Sequence, residues 1–260
     1  MIRLMSGAAL AAIVLALVWW LPSEALLPVV LVVAALAFAE YARIAQRIGA
    51  HMPWWPTLAA TLGVCAMVPF PWVAVESVLA AALLITACAV LLSDRAGTTL
   101  LTDSAAAMLA PVYLGLPLGS LVAVHAMSGR VAVLLLIATV AVSDSAQYYA
   151  GCMFGRTPLA PRHSPKKTRE GAVGGLVAAP LFLAAAGRVW MPDVSAALLV
   201  AVGAGLVVAG IAGDLFESML KRAADLKDSG AMIPGHGGVL DRIDALLFAA
   251  PVFYFFLRTL

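Results

Sequence analysis

Apolar runs dominate this chain, and most are close to the length of a membrane-crossing helix. A helix needs about 20 mainly apolar residues to cross the hydrocarbon core. The sequence offers nine such stretches, at approximately 5–21, 26–42, 56–73, 75–92, 104–127, 130–150, 172–187, 194–216 and 244–258. The third is divided from the fourth by Pro69-Phe70-Pro71, because proline removes a helix donor and clashes with the preceding turn. Read as one, the two leave eight helices. The expected fold is all-α: a polytopic transmembrane helical bundle forming a single membrane domain over 1–260, with no visible repeat or low-complexity linker. Residues 1–130 supply N-terminal membrane helices. Residues 131–260 form the half that carries the candidate chemistry, with polar loops at 151–171 and 217–243.

Composition strengthens this reading. The 260 residues are 63% hydrophobic and 12% charged, with a mean hydropathy of +1.02. A water-soluble chain carries about 25% charged residues, so this one has too few to cover itself. A net charge of +2 gives no reason to expect a nucleic-acid partner. The positions of the charges matter more. With a cytoplasmic N-terminus and nine spans, all of the sixteen Lys and Arg except Arg130, Arg188 and Arg258 fall on the cytoplasmic side, as the positive-inside rule requires. Trp19, Trp20, Trp54, Trp55, Trp72 and Trp190 sit at predicted span ends, where an amphipathic ring favours the headgroup level. Arg3 followed by an apolar run to Leu21 has the outline of a signal peptide, but the second apolar run that follows at once fits a first membrane hairpin better. Cys65, Cys88 and Cys152 are odd in number and set in apolar sequence, so they read as small membrane-buried hydrophobes.

Asp144 and Asp214 each follow a long apolar run. An aspartate at the centre of a membrane helix costs about 2.5–3.5 kcal/mol, so such a residue needs a partner or a function. Asp225, Asp228, Asp241 and Asp244 follow in the second loop, interleaved with Lys221, Arg222, Lys227 and Arg242. Asp241 and Asp244, spaced i, i+3, share one face where the last apolar helix begins, which points to a cation site. Carboxylates of this kind suit Mg²⁺, which takes one or two of them and completes its shell with water and substrate phosphate. His51, His125, His163 and His236 are too scattered to make a zinc site by spacing.

The segment Arg162-His163-Ser164-Pro165-Lys166-Lys167-Thr168-Arg169 is dense in cations and hydroxyls suited to phosphate oxygens, although such clusters also fix membrane orientation. Gly151, Gly155, Gly171, Gly174 and Gly175 around it would let backbone approach a ligand closely. The two loops are separated by two helices, so they emerge on one face. Carboxylates, cations and a bilayer-level location together describe phosphoryl or nucleotidyl transfer to a lipid. They do not choose among a kinase, a pyrophosphatase and a nucleotidyltransferase.

The choice is narrowed by a resemblance. Ser218-Met219-Leu220-Lys221-Arg222, Lys227-Asp228-Ser229-Gly230 and Pro234-Gly235-His236-Gly237-Gly238-Val239-Leu240-Asp241-Arg242-Ile243-Asp244 together resemble the signature of phosphatidate cytidylyltransferases. Ser143-Asp144 through Gly151, Phe154-Gly155-Arg156, Ser164 through Thr168 and Glu170-Gly171 are similar to an upstream block of that family, with Ser145 and Gln147 at positions expected to vary. The resemblance covers roughly 140–258. It implies transfer of CMP from CTP to phosphatidate, giving CDP-diacylglycerol and pyrophosphate, with Mg²⁺ required and a potassium-like second cation admitted. On this basis Asp214, Asp241 and Asp244 would form the cation centre, with Asp144 a further ligand or an orienter of the attacking phosphate. Asp228 is a weaker candidate. Lys166, Lys167, Lys221, Arg222, Lys227 and Arg242 would bind phosphates, His236, Gly237 and Gly238 would shape the nucleotide loop, and Ser218 would donate a hydrogen bond. The expected setting is a bacterial plasma membrane with the site on the cytoplasmic side, and a homodimer is compatible with it. The alternatives are a secondary transporter with intramembrane carboxylates and a CTP-dependent enzyme acting on another lipid phosphate.

Overall fold

Away from water every backbone N–H and C=O must find a partner within the protein, so the apolar stretches fold as helices. The computed structural model describes residues 2–70, 72–93, 99–232 and 237–260, with side chains from residue 7 onward. Pro71, Arg95 and His236, and the side chain of Arg3, lie outside the described set. In chain order the helices are α1 (Ile2–Trp20), α2 (Ser23–Arg47), α3 (Trp54–Met67), α4 (Val75–Leu91), α5 (Leu100–Ala110), α6 (Leu116–Phe154), α7 (Arg169–Trp190), α8 (Ala196–Ala223) and α9 (Leu240–Arg258). Between α6 and α7 lie two short strands, β1 (Pro158–Ala160) and β2 (Ser164–Thr168).

Four helical stretches among the described residues are long and apolar enough to cross a membrane: Ser23–Arg47, Leu100–Phe154, Arg169–Trp190 and Ala196–Ala223. Gly7–Trp20 and Val75–Leu91 are shorter apolar helices. The protein is therefore helical and built for a bilayer. The break expected near Pro69 is real, since α3 ends at Met67 and α4 begins at Val75. The stretch Leu100–Phe154 runs through a π-helical turn at Pro111–Gly115, where proline cannot donate to the preceding turn. It departs from helical dihedrals at Gly129, with φ 75° and ψ 179°, a conformation open mainly to glycine and the place where the sequence divides two spans. Trp20 closes α1, Trp54 and Trp55 open α3 and Trp190 closes α7, all substantially exposed, as expected of rings at span ends.

The hairpin departs from the all-α expectation. Pro158, Pro161 and Pro165 interrupt helix in the loop 151–171, and the segment pairs instead as antiparallel strands with Pro158 opposite Thr168 and Ala160 opposite Ser164. Of the cysteines, Cys65 is packed in the interior, whereas Cys88 and Cys152 are exposed; all three are unbridged.

The chain divides into two compact units, one of Met1–Met127 with Leu220–Ile243, the other of Ser128–Met219 with Asp244–Leu260. In the first, α3 packs on α2, α4 and the π-helical turn. Phe38, Ile44 and Leu114 are fully buried there, and the Tyr41 hydroxyl donates to the Ala106 carbonyl at 2.9 Å. In the second, the core holds Leu136, Leu183, Leu199, Leu206 and Phe253. Its helices approach closely at small residues. A Cβ on Gly174 would strike Ala150, and one on Gly175 would strike Gln147 and Ser143. The space at these two glycines is therefore taken up by packing α7 on α6, not by a ligand.

Candidate active site

In the first unit Ser229 and the residues Gly238, Val239 and Leu240 gather around two carboxylates. Asp241 stands in the first turn of α9, ahead of the apolar stretch 244–258. Its Oδ1 accepts a hydrogen bond from Lys221 Nζ at 2.5 Å. Its Oδ2 accepts from the Gly238 N–H at 2.7 Å and the Ser229 N–H at 2.9 Å, with the Ser229 hydroxyl also at 2.9 Å. Burial alone would push the Asp241 carboxyl up, but Lys221 and the two backbone amides outweigh it and hold its pKa below the usual carboxylate range. The second carboxylate is Glu40, from α2 and fully buried. It accepts from the Val239 N–H at 3.0 Å, the Leu240 N–H at 2.8 Å and the Ser229 hydroxyl at 2.9 Å.

Around this core the other candidates of the second loop are more open. Arg222, Lys227, Asp228 and Arg242 are exposed, and Arg222 holds its own segment by donating to the Leu226 carbonyl at 3.0 Å. Gly237 has φ +80°, which an L side chain rarely adopts, and Gly238 is buried against Ser229 and Glu40.

In the second unit, Asp144 on α6 and Asp214 on α8 lie close enough to act on each other's charge, with Lys167 near both. Lys167 forms an ion pair with Asp214. The strand β2 explains this placement. Alternate residues of a strand point to opposite faces, and along β2 Lys166 is exposed while Lys167 is partly covered beside Asp214. The base of the hairpin is fastened: Glu170 accepts from the Arg156 and Thr157 N–H groups at 3.1 and 3.2 Å, and Thr168 caps α7 by accepting from the Gly171 N–H at 3.1 Å. Ser218, one turn beyond Asp214 on α8, donates to it at 3.4 Å, and the Gln147 amide lies 3.4 Å from Asp144. Asp244 accepts from the Ala245 N–H at 2.8 Å. Its backbone carbonyl faces Gly213, so α9 meets α8 one residue before Asp214.

Among the described residues no three His, Cys, Asp or Glu side chains gather into one metal-binding group. The pair Asp144 and Asp214 nevertheless offers hard oxygen donors of the number that Mg²⁺ takes from protein, leaving the rest of its shell for water and phosphate. The donor chemistry fits that ion. His236 lies outside the described residues. Glu40 was not singled out from the sequence, although it meets the criterion that marked Asp144 and Asp214, a carboxylate within a long apolar helix.

The fold is that of a membrane protein whose apolar helices carry lysine–carboxylate pairs near their ends. The chain belongs to the cytidylyltransferase family, whose model matches residues 1–260. It is 35% identical over 175 residues to a phosphatidate cytidylyltransferase of Thermotoga maritima, covering 65% of each chain. It is 40% identical over 146 residues to one of Helicobacter pylori, covering 55% of this chain and 53% of that one. To one of Pseudomonas aeruginosa it is 47% identical over 112 residues, covering 43% and 41%. The chain thus matches less than two thirds of the length of these relatives.

Proposed function

We propose that the protein is a phosphatidate cytidylyltransferase of a bacterial plasma membrane, with nine spans, a cytoplasmic N-terminus and a cytoplasm-facing site. The observation that carries this reading is that a lysine of the signature and a lysine of the upstream block each pair with an aspartate: Lys221 with Asp241 and Lys167 with Asp214. A site that places cations against acids at the membrane edge has both components that a phosphate-transfer reaction needs, charge to bind phosphates and carboxylates to bind a divalent ion.

In the reaction a phosphate oxygen of phosphatidate attacks the α-phosphorus of CTP. A new P–O bond forms as the bond bridging the α- and β-phosphates breaks, and pyrophosphate leaves with the electron pair. No covalent protein nucleophile is required, because the ionised phosphate monoester supplies one. Lys166, Lys167, Lys221, Arg222, Lys227 and Arg242 bind the phosphates, and a lysine here acts as a point charge on a flexible stem. Asp214 and Asp244 of the second unit and Asp241 of the first are the carboxylates that would serve a cation, with Asp144 a further ligand or an orienter of the attacking phosphate. Mg²⁺, when bound to these carboxylates, would supply charge neutralisation of the triphosphate and the leaving pyrophosphate. Within the first unit Lys221 holds Asp241 Oδ1, so Asp241 can offer that oxygen to a cation only when Lys221 releases it. Ser218 orients Asp214, while His236, Gly237 and Gly238 shape the nucleotide loop.

The test is pyrophosphate release by purified protein in detergent. Release that requires CTP, phosphatidate and Mg²⁺ together supports the reading. Release that does not depend on phosphatidate contradicts it.

A further inference from the structure

The N-terminal half of the chain shares only its membrane-helix character with the resemblance drawn from the sequence, yet one of its residues is built into the signature loop. We propose that Glu40 is a positioning residue for the nucleotide loop, acting through the backbone of Val239 and Leu240 and the hydroxyl of Ser229. The proposal rests on the cytidylyltransferase reading of that loop.

Glu40 is fully buried, and 189 to 200 positions separate it from the groups it holds. Among the described residues no lysine or arginine pairs with it; three hydrogen bonds support its charge instead. Two of them come from the amides where α9 begins. The first N–H groups of a helix have no partner within it, and their dipoles favour a negative charge. Glu40 supplies that charge from another helix. It also explains the glycines beside it, because a Cβ on Gly230 or Gly238 would collide with its carboxylate oxygens.

Asp241 holds the same segment through the Gly238 and Ser229 N–H groups. The Ser229 hydroxyl lies 2.9 Å from both carboxylates, and its single proton serves one of them at a time. Ser229 and the residues Gly238, Val239 and Leu240 are therefore clamped by two acids, with Lys221 attached to one of them. The start of α9 is thus filled by internal carboxylates, which leaves phosphate binding to the lysines and arginines. Glutamine at position 40 would turn an N–H₂ toward groups that are themselves donors. Aspartate would keep the charge but fall one methylene short of both amides.

The test compares Glu40→Gln, Glu40→Asp and Ser229→Ala with the wild type in lipid nanodiscs. Steady-state kinetics are measured separately against CTP and phosphatidate, alongside thermal melting and hydrogen exchange of residues 229–240. Glu40→Gln is expected to lower kcat/KM for CTP by about tenfold or more while KM for phosphatidate stays within about twofold. Glu40→Asp is expected to recover part of that loss. Ser229→Ala is expected to raise KM for CTP about threefold with unchanged melting. Exchange at 239 and 240 should quicken in both Glu40 variants. Wild-type CTP kinetics in Glu40→Gln would overturn the proposal, as would equal losses toward both substrates. If Glu40→Gln does not fold, an unchanged KM for CTP in Ser229→Ala overturns it. A wild type that turns over beside an indifferent Glu40→Gln refutes this proposal alone, whereas a wild type without turnover refutes the cytidylyltransferase reading, and hydrogen exchange then still reports on the clamp.

Discussion

Lys221 and Asp241, twenty positions apart, meet at 2.5 Å with side chains only 11% and 5% exposed, and the second oxygen of Asp241 is shared among Gly238 and Ser229 donors. Removing Lys221 takes the cation away from a carboxylate that is only 5% exposed, at a cost of about 3 kcal/mol. Lys221→Met should therefore lower the melting temperature and reduce activity at least tenfold. In a double-mutant cycle with Asp241→Asn the double variant should be no worse than the poorer single variant, because both remove one interaction. Additive losses in melting and in rate would show that the two residues act separately.

Lys167 and Lys166 are adjacent in sequence but face opposite sides of β2, and Lys167 is the one paired with Asp214. Lys167→Ala should cut kcat/KM for CTP by at least tenfold, about 1.4 kcal/mol of transition-state stabilisation, and by more than Lys166→Ala does. Steady-state kinetics of the two variants side by side decide the matter. A larger loss at Lys166 would contradict the pairing as a functional contact.

Gly213 abuts the backbone carbonyl of Asp244 and the ring of Phe248, leaving no space for a side chain where α9 crosses α8. Gly213→Ala should destabilise the protein by about 1–3 kcal/mol through overpacking. It should also reduce activity, because it displaces Asp214 and Asp244 together. Melting and turnover of this variant should fall in parallel.

The depressed pKa of Asp241 gives a pH dependence of definite sign. An unfolded aspartate titrates near pH 3.9, about where its folded-state stabilisation begins to fade. The contribution is complete above that value and is lost as pH falls through the lower folded-state pKa. Wild-type melting should therefore include a component that is flat from neutral pH down to about 5 and fades progressively below about 4. In Asp241→Asn that component should be missing throughout.

Much of the architecture was legible in the apolar pattern, and the reasons are local. Runs such as 26–42 and 194–216 can only be satisfied as helices, and Pro69 and Gly129 mark breaks through their own backbone chemistry. The hairpin around Lys166 and Lys167 was hidden, because strand pairing depends on register between segments and the loop gave no alternation to read. The pairing of Lys221 with Asp241 was within reach, since both were already candidates. The clamp from Glu40 was not, because a contact across 200 positions leaves no periodicity. Gly174 and Gly175 show the opposite error, small residues that invite a ligand on paper and serve helix packing in the fold.

The central claim is tested most directly by following label from CTP, radioactive at the α-phosphate, into chloroform-extractable lipid. Purified protein is supplied with phosphatidate and Mg²⁺, with Asp241→Asn and an EDTA-treated sample alongside. The account predicts labelled lipid from the wild type and loss of that label in both controls. Folded protein that transfers no label to phosphatidate would contradict it.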